Sequence, residues 1–88
     1  MSEFFLQPDA LRKSALDFDQ AGKDLTVIVK SLDASTAGLE KQWQGVSRQL
    51  FFKQYQELRG YLEAFSSLTT QISNEMKAMA DRYDEADH

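Results

Sequence analysis

The chain has 88 residues, no cysteine, and 10 Lys/Arg against 14 Asp/Glu for a formal charge of −4. A chain this short forms one small domain that buries only about 60–65% of its unfolded surface, and without cysteine it has no disulfide, thiolate metal site or cysteine nucleophile. The acidic balance argues against nucleic acid, whose binding surfaces are basic.

Oligomerisation is the remaining way to enlarge a marginal core. No stretch approaches the roughly 20 apolar residues that cross a bilayer; the longest apolar runs are Phe4–Leu6 and Val27–Val29. The first residues lack a basic segment ahead of a long apolar one, so export, if it occurs, is expected without a conventional signal peptide.

One helical-hairpin domain is expected over 1–88, with helix one at about 8–41, a turn at about 42–46, helix two at about 47–84 and a frayed tail at 85–88. From Pro8, apolar residues recur every seven positions: Leu11, Phe18, Leu25, Leu32 and Leu39 form one row. Four positions after each comes a second row, Ala15, Gly22, Val29, Thr36 and Trp43, so the two rows make one stripe on a helix. The second row is mostly small, which lets a neighbouring helix approach closely. Pro8 and Asp9 suit a first helical turn, although Gln7 is a poor cap.

Trp43 is expected in the last turn of helix one, where it plugs the end of the hairpin. Gly45 falls where the chain must reverse, and glycine adopts the left-handed conformation that such a reversal needs. Beyond it the heptad pattern resumes with Phe51, Leu58, Phe65, Ile72 and Met79, and four later with Tyr55, Leu62, Thr69, Met76 and Tyr83. Gly22, Gly38 and Gly60 each cost about 1 kcal/mol in a helix interior, which packing must offset. No β-alternation occurs, so the fold class is all-α.

Two long helices on a short connection run antiparallel as a two-helix hairpin. Each can cover only part of the other's stripe, so two hairpins are expected to pair into an elongated four-helix bundle. A seven-residue period implies shallow left-handed crossings. Lys41, Arg48 and Lys53 gather at the turn, and Asp81, Asp84, Glu85 and Asp87 at the tail. An antiparallel homodimer would bring these opposite charges together. Tyr83 and Asp87 are four apart and share a helix face, but three carboxylates at the negative end of the helix dipole favour fraying. A segment that resists ordering alone suits recognition by a partner.

Trp43-Gln44-Gly45, central between two amphipathic helices, resembles the signature of the WXG superfamily, the early-secreted-antigen-like (Esx) substrates of bacterial type VII secretion. Phe51, Tyr55 and Leu58 fill the positions that the family gives to phenylalanine, a second aromatic and leucine after the turn. "QPDAL" (Gln7 to Leu11) is similar to the family's opening of helix one, and the resemblance covers nearly the whole chain. Val46, Leu50 and Phe52 are bulkier than the small residues usual after the turn, and Gln7 replaces the usual Ser/Thr cap.

The resemblance implies a non-enzymatic protein, secreted without a cleaved signal after a transient cytoplasmic stage. Trp43 and Gly45 would form the turn half of its export signal, and Tyr83 and Asp87 the tail half. Partners implied are a second copy or a paralogous Esx protein, with the turn of one subunit beside the tyrosine tail of the other. The membrane-anchored hexameric secretion ATPase would read the tail.

No catalytic constellation is present. His88 ends the sequence and cannot be held as a general base, no cofactor or metal is expected, and Gly22, Gly38 and Gly60 form no phosphate loop. Phe4, Phe5 and Leu6 are expected to cover the far end of the bundle near Met76 and Met79 rather than to insert in a membrane. A cytoplasmic helical adaptor is the first alternative. A secreted effector acting on host membranes or proteins is the second, and it gains little support because no basic amphipathic face is evident.

Overall fold

The computed structural model describes residues 7–86. Two helices form an antiparallel hairpin: α1 spans Pro8–Glu40 and α2 spans Val46–Ala86. The rod is 65 Å long and 19 × 16 Å across, and the described residues include no strand. Phe4, Phe5, Leu6, Asp87 and His88 lie outside the described residues.

Helix α1 starts without a side-chain cap. Gln7 is extended (φ −69°, ψ 130°), Pro8 occupies the first turn, and Asp9 places a carboxylate at the positive helix end. The Gln7 carbonyl accepts from Ala10 N at 2.9 Å, which starts the ladder. Helix α2 runs two residues past the expected boundary at 84, so Glu85 and Ala86 are helical. The cause is electrostatic. Arg12 reaches across from α1, donating from Nη2 to Asp81 Oδ1 at 2.9 Å and to Asp84 Oδ2, and offsets the repulsion between tail carboxylates and the helix dipole.

The contact between the helices is made largely by small residues. Buried on α1 are Leu11 and four members of the second row: Ala15, Gly22, Val29 and Thr36. Buried on α2 are Tyr55, Thr69, Ser73 and Ala80. The helices approach closely at Gly22, where an added Cβ would stand 2.7 Å from Thr69 Oγ1. There Ser66 Oγ donates to the Gly22 carbonyl at 3.2 Å, tying backbone to the opposite helix.

The large apolar residues of the heptad rows flank this contact on one side. Phe18, Leu25, Leu32, Phe51, Leu62 and Ile72 are half-buried. Leu39, Leu58, Phe65 and Met79 are exposed by 45, 47, 62 and 40%. Leu32, Phe51 and Leu58 line an open apolar groove together with Tyr55. Among the described residues the largest fully buried side chain is a serine, Ser73. A single hairpin thus leaves much of its apolar area in water.

The other flank of the hairpin is closed by charge. Along α1, Arg12, Asp19, Asp33 and Glu40 recur at heptad multiples and each reaches α2. Lys77 Nζ donates to Asp19 at 2.9 Å, and Arg48 Nη2 donates to Glu40 at 2.9 Å. Arg59 grips Asp33 with two nitrogens, Nε to Oδ1 and Nη2 to Oδ2, each at 3.0 Å. Tyr55 also donates its hydroxyl to Asp33. These partners shift titration in the expected sense. Arg59 and then Tyr55 hold the Asp33 carboxyl below its ordinary value, and Lys77 does the same for Asp19. Asp33 in turn raises the Tyr55 phenol. Ser73 Oγ is buried without a well-formed hydrogen bond, yet it lies near enough to Asp19 to favour the ionised carboxylate.

This seam alters the charge pattern expected between subunits. Arg48 at the turn and Asp81 and Asp84 at the tail are already paired within the chain. Lys41 and Lys53 at the turn and Glu85 at the tail make no ion pair among the described residues.

Candidate functional site

The connection between helices is five residues long, and aromatic packing shapes it. Helix α1 stops at Glu40, after which Gln42 N turns back to the Leu39 carbonyl at 3.0 Å. Trp43 therefore lies in the connection itself, beyond the last turn of α1 where it was expected. Gly45 has φ 106°, the one positive φ among the described residues. It immediately precedes α2, and its carbonyl accepts Gln49 N at 3.4 Å. Glycine thus serves the start of helix two; the end of helix one is a tightened turn of ordinary residues.

Trp43 folds back over the first turns of α2. Its ring centroid lies 5.3 Å from Phe51 and 6.4 Å from Phe52, and Phe51 meets Phe52 edge-on at 5.1 Å. Phe51 also stacks on Tyr55 at 6.4 Å. All four distances fall in the range where offset and edge contacts are favourable. The indole Nε1 donates to Ser47 Oγ at 3.1 Å, so the polar end of a half-buried ring is satisfied. Arg48 closes the cluster, its guanidinium 5.2 Å from the Phe52 centroid while it pairs with Glu40. Sequence reasoning singled out Trp43, Phe51 and Tyr55 but missed Ser47. The four-residue step from Trp43 to Ser47 was the available signal.

Tyr83 stands on the last turns of α2, 48% exposed, beside a shallow depression lined by Met79, Arg82 and Ala86. Asp87, its expected companion, lies outside the described residues. About 55 Å of helix α2 separates Tyr83 from the turn. A single chain therefore does not bring the two halves of the expected signal together.

Among the described residues no group of three His, Asp or Glu side chains could hold a metal ion. No described helix is long and apolar enough to cross a membrane.

Comparison with known proteins agrees with this geometry. The family model described as proteins of 100 residues with WXG matches residues 4–88. An ESAT-6-like protein of Streptococcus agalactiae is 25% identical over 99% of this chain and 91% of its own. The type VII secretion system extracellular protein A of Staphylococcus aureus is 23% identical over 99% of this chain and 90% of its own. Among solved structures, EsxA of Geobacillus thermodenitrificans superposes with a TM-score of 0.84 at 27% identity, covering 96% of this chain and 91% of that one. The secreted protein EsxB of Bacillus anthracis gives a TM-score of 0.86 at 23% identity over the whole of both chains and supports the fold. With its Trp-x-Gly connection, its long helical hairpin and a family match over nearly its whole length, this chain belongs to the WXG100 family.

Proposed function

We propose that this chain is a small, non-enzymatic substrate exported by a type VII secretion system as a folded dimer. The observation that carries the reading is the family match from residue 4 to 88, which includes a Trp43–Gly45 connection built as a packed cap. Support for export comes from the relative in Staphylococcus aureus named as an extracellular protein of that system. Trp43 and Gly45 form the turn half of the signal, and Tyr83 with Asp87 forms the tail half that engages the secretion ATPase. Exposure of Tyr83 suits that role.

The uneven flanks of the hairpin support the dimer. Ion pairs close one side of the hairpin, whereas Leu39, Leu58, Phe65 and Met79 remain uncovered on the other. Together with Leu11, Phe18, Leu25, Leu32, Phe51, Tyr55, Leu62 and Ile72 they supply the packing of a four-helix bundle. In an antiparallel pair of copies, the turn of one lies beside the tail of the other, which unites the two signal halves. A paralogous Esx partner is the second reading, because internal pairing of Arg48, Asp81 and Asp84 reduces the charge complementarity of self-association.

The test is the culture medium of the native bacterium. Intact protein with an uncleaved N-terminus, by mass spectrometry, is the expected finding. Complete retention in the cytosol while the secretion system is active would overturn the proposal.

A further inference from the structure

Although the chain is net acidic, the helix geometry of α1 gathers a basic face that is hard to see in the linear sequence. Lys13, Lys23, Lys30 and Lys41 are 10, 7 and 11 residues apart, separations that are sums of the helix's three- and four-residue steps, and Leu16 and Val27 fall on the same two rows between them. All six are exposed, Leu16 by 62% and Val27 by 65%. Their rows lie on the side of α1 away from both α2 and the apolar flank, so the stripe stays free when that flank is covered. None of the four lysines makes an ion pair among the described residues, whereas Arg12, Arg48 and Arg59 all do. The carboxylates bordering one edge, Asp19, Asp33 and Glu40, are neutralised by Lys77, Arg59 and Arg48. Asp17 and Asp24 border the other edge, and Gln20 donates to Asp24 at 2.9 Å.

We infer that this stripe is a peripheral docking face for an anionic phospholipid bilayer. Its four charges extend about 42 Å along a straight helix, and a flat sheet of phosphates is the surface that meets them all at once. Asp9 shares the row of Leu16, Lys23 and Lys30 but is paired with Arg12 at 3.3 Å, and charges separated by more than about 8 Å are largely screened at physiological salt. The composition also disfavours a protein partner: lysine is depleted in protein interface cores, which take Trp, Tyr and Arg as anchors. Lysine and alkyl side chains suit the headgroup region, where ammonium groups reach phosphate and Leu16 and Val27 reach the acyl boundary. The inference concerns surface attachment and is independent of the export reading and of the dimer.

Flotation of the purified full chain with vesicles tests it. Equal parts phosphatidylserine and phosphatidylcholine are compared with phosphatidylcholine alone, at low and physiological salt. Binding is expected only to the anionic vesicles, and it should weaken as salt rises. Each lysine near the surface contributes about fivefold in affinity, so Lys23→Gln/Lys30→Gln should bind about 25-fold more weakly. Lys53→Gln, on α2 and off the stripe, should bind as wild type. Circular dichroism of each variant confirms that the helices are intact. Equal binding to both vesicle types, no binding to either, or equal losses in the double variant and Lys53→Gln would each overturn the inference. Binding to duplex DNA while the anionic vesicles stay bare would assign the stripe to nucleic-acid phosphates and overturn it as well.

Discussion

Adding one methyl group at Gly22 tests the small-residue contact on which the hairpin rests. In Gly22→Ala the new Cβ would stand 2.7 Å from Thr69 Oγ1, well inside the ~3.5 Å at which such atoms attract. Thr69 cannot move aside freely. It is buried, β-branched, and its hydroxyl donates to the Ser66 carbonyl at 2.6 Å. Overpacking of this kind costs about 1–3 kcal/mol, while alanine in place of helical glycine gains about 1 kcal/mol. The net change is a loss of up to about 2 kcal/mol. Gly60→Ala is the matched control, because a Cβ there meets nothing within 4 Å and the gain stands alone. The difference between the two variants cancels helix propensity and isolates the clash.

Thermal unfolding followed by circular dichroism at one fixed protein concentration reads that difference, since an associating chain has a concentration-dependent Tm. At about 4–8 °C per kcal/mol for a domain of this size, Gly22→Ala should melt at least ~4 °C below Gly60→Ala. Thr69→Ala in the Gly22→Ala background should recover most of the loss, a coupling that contact residues show and distant ones do not. Gly22→Ala melting as high as Gly60→Ala would refute the close approach.

Acid should weaken the hairpin through its charged seam. Asp19 and Asp33 are held below their ordinary values, so the stability they add is complete above about pH 4 and is lost as pH falls through the lowered folded values; Asp33→Asn should flatten the fall of Tm with acidification. Trp43→Ala should cost about 1–3 kcal/mol for the lost aromatic area, read as a lower Tm, and Trp43→Phe should recover most of it while losing the bond to Ser47. Gly45→Ala should cost about 1–3 kcal/mol because its φ of 106° is a conformation that side chains rarely adopt. Light scattering of the purified chain should give the mass of two copies, and Phe65→Glu, which places a charge on the apolar flank, should give the mass of one. A wild-type mass of one copy would remove self-association in favour of a paralogous partner.

The period of seven in both halves made two helices legible, because apolar residues recur at the helical step and proline is absent beyond Pro8. The small second row of α1 foretold the close approach of α2. What the periodicity could not show was the phase of contact on α2. The hydrophobic rows there begin at Phe51 and Tyr55, but the buried positions include Ser73 and Ala80. Backbone proximity at Gly22 selects small residues over large ones, and hydrophobicity alone ranks them the other way.

The polar seam was illegible for a related reason. Arg12 and Asp84 are 72 residues apart in sequence, and the pairing depends on the register of the hairpin. That same pairing explains why helix α2 holds to Ala86 where carboxylate repulsion alone predicts fraying. The aromatic cap was half visible: the residues were evident, but where α1 ends depends on the hydrogen bond from Gln42 N to Leu39 O. The lysine stripe on α1 was hidden by net charge, which sums over faces that never meet the same partner.

Export itself tests the central claim most directly. Wild type and Tyr83→Ala would be quantified in the culture medium and in cells of the native bacterium, with a cytosolic marker to control for lysis. Tyr83 is exposed and outside the buried contact, so its replacement leaves the hairpin folded. Wild type in the medium with the variant retained in cells is the predicted result. Equal export of both would contradict the tail signal, and wild type confined to the cytosol with an active secretion system would reduce the Trp43–Gly45 connection to a packed corner.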